Sequence, residues 1–147
     1  EKLLILKLSP NVTDIGEIAA AAVEGGADVL SAVNTLFGMS IDTATRRPNV
    51  NTNIGGLSGP SIRPVGIASV FKISKSVDVP IIGIGGIKSA KDVVEYLLAG
   101  ASAVQVGTAN YRDAAIVTKI INDLTTYCEE NGIATISEII GGVEPYD

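Results

Sequence analysis

The stretch VPIIGIGGIKSA, residues 79–90, sets Ile81, Ile82, Ile84 and Ile87 between a Pro80 entrance and a Gly83-x-Gly85-Gly86 exit, then turns polar at Lys88-Ser89. A short, unbroken aliphatic run bounded by Pro and Gly reads as a strand, and the absence of alternation means burial on both faces, as in a parallel sheet covered by helices. Ser89 then has the chemistry of an N-cap. Ala90, Val93, Val94, Leu97 and Leu98 follow at helical spacing, and Gly100 supplies the stop.

The same unit recurs on either side. Leu3 to Leu8 form an aliphatic run stopped by Ser9-Pro10-Asn11. Asp14 and Glu17 have the spacing of an N-cap and its N3 acid, and Ile15, Ile18, Ala19, Ala22 and Val23 keep the helical period. After Gly25-Gly26, Ala27 to Val33 reads as a second strand; Pro64 opens a helix with Ile67, Val70 and Phe71 on one face. Ala103 to Val106 is the fourth strand, and Gly107-Thr108 leads into a long helix carrying Ile116, Ile120, Ile121, Leu124 and Tyr127. Four alternations of strand and helix predict an α/β fold of parallel βαβ units. A complete (β/α)8 barrel takes about 250 residues, so four units make either a small open sheet or half a TIM barrel. The recurrence of GGADVL and AGASAV points to two helix-to-strand turns built alike. Residues 34–63 break the rhythm, far beyond the ~2–6 residues usual for such connections, and predict a lid, a binding loop or an added hairpin.

Composition fits this reading. Of 147 residues 46% are apolar and only 4% aromatic, with no Trp, so the core is aliphatic. The net charge of −5 without a basic stripe argues against nucleic acid as a partner. No apolar run approaches the ~20 residues of a membrane span, and a soluble, cytoplasmic protein is the expectation. With no His and one cysteine, acid–base chemistry is left to carboxylates, Lys, Tyr or Cys128, and Cys128, on an apolar helix face beside Tyr127, reads as packing. The chain starts at Glu1 rather than Met, directly before a strand, which suggests a piece of something longer.

The chemistry-bearing residues gather at one edge. Lys7, Asn34, Gly85-Gly86 and Gly107-Thr108 fall at or just past the C-terminal ends of the four strands, the edge where parallel α/β folds bind ligands. Gly85-Gly86 precedes a helix whose first N–H groups and dipole suit an anion, and Gly107-Thr108 offers the same arrangement one unit later with a hydroxyl added. Both point to a phosphate. For Lys7 the residues leave two readings open, a lysine snorkelling at a barrel rim or a ligand contact. Asn34-Thr35 is equally a turn starter or a set of ligand donors and acceptors. GGLSGPSIRP, residues 55–64, can wrap an anion with backbone N–H groups or simply close a loop; Arg46-Arg47-Pro48 is expected to face solvent. A dinucleotide fingerprint is disfavoured because Lys88 stands where the third glycine belongs.

The ordered set KLSPN (7–11), NT (34–35), GGLSGP (55–60), IIGIGGI (81–87) and VQVGTANY (104–111) resembles the C-terminal half of class 1 dihydroorotate dehydrogenases, and GGLSGPSIRP is similar to the class 1B catalytic subunit. The resemblance covers nearly the whole chain, residues 1–147. It implies the second half of a flavin-binding (β/α)8 barrel that holds FMN and oxidises dihydroorotate to orotate in pyrimidine biosynthesis. By that resemblance Lys7 contacts the polar edge of the flavin, Asn34 and Thr35 bind the pyrimidine, Gly59 lies against the flavin, and Gly85, Gly86, Gly107 and Thr108 cradle the FMN phosphate. In the family a cysteine on a loop of the N-terminal half removes the C5 proton while hydride leaves C6. Nothing here matches that cysteine, so the chain alone is expected to be inactive and to need the N-terminal half of the barrel. The implied partners are that half, a second copy in a homo-oligomer and an iron–sulfur/FAD electron-transfer subunit. Two other readings stay open: a related flavin barrel acting on uracil and thymine, and a non-catalytic half-barrel that binds phosphate-bearing ligands.

Overall fold

The computed structural model describes residues 2–146. Four parallel strands, β1 (Ile5–Leu8), β2 (Val29–Ala32), β7 (Ile81–Ile84) and β8 (Ala103–Gln105), form one sheet in the order β1-β2-β7-β8. Between and after them run α1 (Ile15–Glu24), α2 (Arg63–Ser74), α3 (Ala90–Leu98) and α4 (Ile116–Glu130). This is four consecutive β/α units, the arrangement of half a TIM barrel.

The register sorts the side chains into two faces. Leu8, Ala32, Gly83 and Val104 align across the sheet. With Leu30 and Ile81 they face the helices, where Ala19, Val70, Ile73, Tyr96 and Leu97 complete a continuous core. The other face aligns Lys7, Ser31, Ile82 and Ala103, and its flanks are open: Ile5 is 47% exposed and Gln105 is exposed. Both sheet edges, β1 and β8, lack a neighbouring strand among the described residues.

Local chemistry explains the ends of the helices. Asp14 caps α1 by accepting from the Gly16 N–H at 2.7 Å, and Ser89 caps α3 by accepting from the Asp92 N–H at 3.3 Å. The two matching turns read from GGADVL and AGASAV are both Schellman motifs. Gly26 (φ +97°) and Gly100 (φ +112°) take the left-handed position, with Ala27 N–H donating to Ala22 and Ala101 N–H to Tyr96.

The excursion after β2 is a nested pair of antiparallel ribbons. Its outer pair joins β3 (Leu36–Gly38) to β6 (Gly55–Leu57), and its inner pair joins β4 (Ile41–Asp42) to β5 (Arg47–Pro48). Arg46 and Arg47 are exposed, as their sequence context predicts. Two expectations shift. The first strand starts at Ile5 rather than Leu3, since the Leu4 N–H is drawn off to the Asp28 carboxylate at 2.8 Å. Gly107-Thr108 does not begin the long helix; it opens a 3₁₀ turn, Thr108–Tyr111, and α4 starts only at Ile116 because Asp113 stops the turn and holds the Ala115 and Ile116 N–H groups.

Candidate functional site

A cavity of about 510 Å³ opens at the C-terminal ends of the four parallel strands. Lys7, at the end of β1, and Asn34 and Thr35, just past β2, line one side of it. Gly85 and Gly86 after β7, Gly107 and Thr108 after β8, and Gly59 before α2 line the other. All eight candidate residues therefore share one cavity, although Lys7 and Thr108 lie at opposite ends of the set in sequence.

The glycines are there for backbone shape and close approach. Gly59, Gly85 and Gly86 have φ of +86°, +135° and +73°, conformations that side-chain-bearing residues rarely adopt. At Gly86 a methyl group would stand 2.8 Å from both the Gly59 carbonyl oxygen and the Arg63 Cβ, so the two loops touch only because Gly86 has no side chain. A methyl at Gly107 would meet nothing within 4 Å, so this turn faces open space.

At the start of α3 the chain takes part of the donor set itself: Ser89 Oγ accepts from the Asp92 N–H, and Asp92 Oδ2 accepts from the Lys88 N–H at 2.9 Å, while no protein acceptor among the described residues takes the Ala90 and Lys91 N–H groups. The loops add further free N–H groups. Among the described residues no protein acceptor takes those of Gly86, Ile87, Gly107 or Thr108. A buried or ligand-facing N–H without a partner is costly, so a group rich in acceptors is the natural complement.

Side chains missed by sequence reasoning complete the rim. The Thr108 hydroxyl donates to Ser58 Oγ at 3.1 Å, tying the β8 turn to the loop before α2. Lys88 and Arg112 join Lys7 around the cavity, and Asp113 is the one carboxylate lining it. Its charge is engaged by Lys119 at 2.6 Å; the Lys119 hydrogen bond and the Ala115 N–H hold the Asp113 carboxyl below its ordinary value. Neither Lys88 nor Arg112 belongs to a glycine motif, and only the fold brings them to the rim.

Asn11, in the loop after β1, organises the opposite wall. Its amide donates to the Thr35 carbonyl at 2.8 Å and accepts from the Phe37 N–H at 2.9 Å, fixing where the chain leaves β2. Gly56 is packed against the Thr35 side chain so closely that any Cβ there would overlap it. Behind the glycine loops sits Tyr96, fully buried, with Gly66, Gly83 and Gly85 crowding its ring and hydroxyl. Burial pushes its phenol pKa well above the ordinary value, with Arg63 lowering it and Glu95 raising it by smaller amounts.

A parallel β/α sheet whose strand ends surround a cavity lined by glycine turns and three cations is the layout of a barrel-type module. The family follows from comparison. The family model described as Dihydroorotate dehydrogenase matches residues 1–127, and the chain belongs to that family. It is 51% identical over 144 residues to the "Dihydroorotate dehydrogenase B (NAD(+)), catalytic subunit" of Bacteroides fragilis, covering 98% of this chain and 48% of that protein. It is 54% identical over 142 residues to the protein of the same name from Geotalea uraniireducens, covering 97% of this chain and 47% of the relative. The chain thus spans about half the length of the curated relatives it matches. Among solved structures it superposes with a TM-score of 0.81 and 30% identity on dihydroorotate dehydrogenase of Eimeria tenella in complex with ferulenol, covering 97% of this chain and 38% of the other.

Proposed function

We propose that this chain is the C-terminal half of an FMN-dependent dihydroorotate dehydrogenase, contributing the FMN phosphate cradle and part of the pyrimidine site to the oxidation of dihydroorotate to orotate. One observation carries the reading: in a chain of this family, Lys7, Asn34, Thr35, Gly59, Gly85, Gly86, Gly107 and Thr108 converge on one cavity.

The residues present suit FMN. The unpartnered N–H groups of the two glycine turns complement a phosphate, and at Gly107 the backbone stays open on the side where a Cβ would otherwise stand. Val33, Ile62, Ile84 and Ile116 supply apolar walls for a flat ring system. FMN bound there supplies the two-electron acceptor for hydride leaving the substrate. The protein's own part is binding and orientation. Lys7 places a positive charge beside the polar edge of the ring, and Asn34, tied through its N–H to Leu8, and Thr35, held through its carbonyl by Asn11, orient the pyrimidine carboxylate and amides.

The proton acceptor comes from elsewhere. The lone cysteine, Cys128, is half-buried on α4 and does not line the cavity. A polypeptide carrying the other β/α units would pair with the bare edges of β1 and β8, cover the open sheet face and bring the base. The relatives' designation as NAD(+) catalytic subunits supports a further subunit that passes electrons on; that this subunit carries iron–sulfur and FAD groups, and that the catalytic subunits form a homo-oligomer in the cytoplasm, follows from the class 1B resemblance alone. No helix among the described residues is long and apolar enough to cross a membrane.

The test is to purify the protein with whatever polypeptide completes its sheet, record its visible spectrum, and titrate it with orotate and with uracil. The reading expects a flavin spectrum, release of FMN on denaturation, and perturbation of the spectrum by orotate but not by uracil. A colourless completed protein that takes up no FMN would sink it.

A further inference from the structure

Asp92 is a charged side chain only 1% exposed, and it does not line the cavity. An acid at the third position of a helix ordinarily reaches back to the N-cap backbone. Asp92 reaches further: Oδ2 accepts from the Lys88 N–H at 2.9 Å, one residue beyond the cap, while Oδ1 takes an ion pair and hydrogen bond from the Arg63 guanidinium. Arg63 is the first residue of α2, immediately after the Gly59 loop, and its Nε lies 3.3 Å from Glu95 on the same α3. One buried carboxylate therefore fastens the loop before α2 to the loop before α3. These are the two loops whose backbones meet at Gly86, where Gly59 O and Arg63 Cβ leave no room for a side chain.

We infer that Asp92, through Arg63, is a positioning residue for the ligand's phosphate: it sets the spacing of the Gly59 and Gly85-Gly86 loops so that the unpartnered N–H groups converge on one point. The inference rests on the FMN reading above. It makes a prediction opposite in sign to simple electrostatics. Removing a negative charge near a dianion ought to tighten binding, whereas loosening the loops weakens it, and only for ligands that have a phosphate.

The experiment measures FMN and riboflavin affinity by fluorescence quenching in the completed protein, for the parent, Asp92→Asn, Arg63→Met and Arg63→Lys. Asp92→Asn and Arg63→Met are expected to weaken FMN by about tenfold or more with riboflavin changed less than about twofold. Arg63→Lys, which keeps the charge beside Asp92, is expected to recover part of the loss. Equal weakening of FMN and riboflavin would overturn the inference in favour of a merely structural pair, and tighter FMN binding would overturn it in favour of charge alone. If Asp92→Asn does not fold, Asp92→Glu, which keeps the charge and changes only the reach of the carboxylate, decides by the same split: charge alone expects both flavins unchanged, and the inference expects weaker FMN with riboflavin unchanged. Failure of the parent to bind either flavin is a separate result, which removes the FMN reading itself.

Discussion

The Tyr96 hydroxyl donates to the Gly85 carbonyl oxygen at 2.8 Å, so a side chain from the last turn of α3 holds the turn that leaves β7. The ring reaches it by lying across Gly83 and Gly66, where no Cβ is tolerated. Tyr96→Phe keeps the packing and leaves a carbonyl without its partner, and is expected to lower unfolding stability by about 1–2 kcal/mol. Gly83→Ala forces the ring out and is expected to cost ~3 kcal/mol or more. Chemical denaturation of both variants checks the order; a Gly83→Ala protein as stable as the parent would mean the socket is looser than described.

Burial also fixes how Tyr96 responds to alkali. Its folded pKa is raised, chiefly by desolvation, so the fold favours the protonated phenol. The sign is that of a raised group: its contribution is complete below the unfolded tyrosine value, about 10, and is lost as pH climbs toward the folded value. Stability is therefore expected to fall at alkaline pH, and the fall is expected to be shallower in Tyr96→Phe once its lower starting stability is subtracted. Parallel pH profiles with the same slope would count against this.

Asp113 provides the acidic counterpart on an exposed helix start. Lys119 and the Ala115 N–H depress its carboxyl below the ordinary value of 3.8. Whatever stability it lends is present above the unfolded value and lost as pH falls through the folded one. Lys119→Met is expected to move the Asp113 midpoint upward in a carboxyl-detected NMR titration, and added salt is expected to shrink that shift because the pair is exposed. An unchanged midpoint would show that the backbone N–H alone sets it.

The four β/α units are readable in the sequence because each rests on local chemistry: Asp14 and Ser89 as caps, Gly26 and Gly100 as left-handed stops, aliphatic runs between. The excursion is readable as an interruption with an added hairpin among its options, but its strands are not, since runs of two and three residues carry no periodicity and are held by Asn11 and the bare Gly56 rather than by pattern. The site divides in the same way. Glycine turns and strand ends mark its backbone, so the cavity could be placed from spacing alone. Arg63 and Asp92 could not be paired, because their contact depends on two helix starts meeting in space. The Asp92 contact to the Lys88 N–H is hidden for a related reason, since it forms only once the helix start has folded.

Asn11 gives a prediction about that excursion. Asn11→Ala removes both the donation to Thr35 and the acceptance from Phe37, and is expected to cost about 1–2 kcal/mol. The effect is expected to be local, with faster hydrogen exchange at Phe37 and along β3 and β6 while β7 is unchanged. Uniformly faster exchange would show that the ribbon and the sheet open as one unit.

Gly86 and Gly107 separate what the fold needs from what a ligand needs. Gly86→Ala must adopt φ near +73° and push its methyl against the Gly59 carbonyl and Arg63 Cβ, neither of which is the end of a flexible side chain. It is expected to lose both stability, by roughly 2–4 kcal/mol, and FMN affinity. Gly107 has φ of −106° and open space where the methyl would go, so Gly107→Ala is expected to leave stability within about 1 kcal/mol of the parent. A phosphate seated against the Gly107-Thr108 turn would meet that methyl, so the same variant is expected to bind FMN more weakly than the parent while melting almost with it. Calorimetry and flavin titration on the two variants make the comparison. If Gly107→Ala binds FMN as the parent does, the phosphate rests on the Gly85-Gly86 turn alone, and the open space beside Gly107 belongs to solvent.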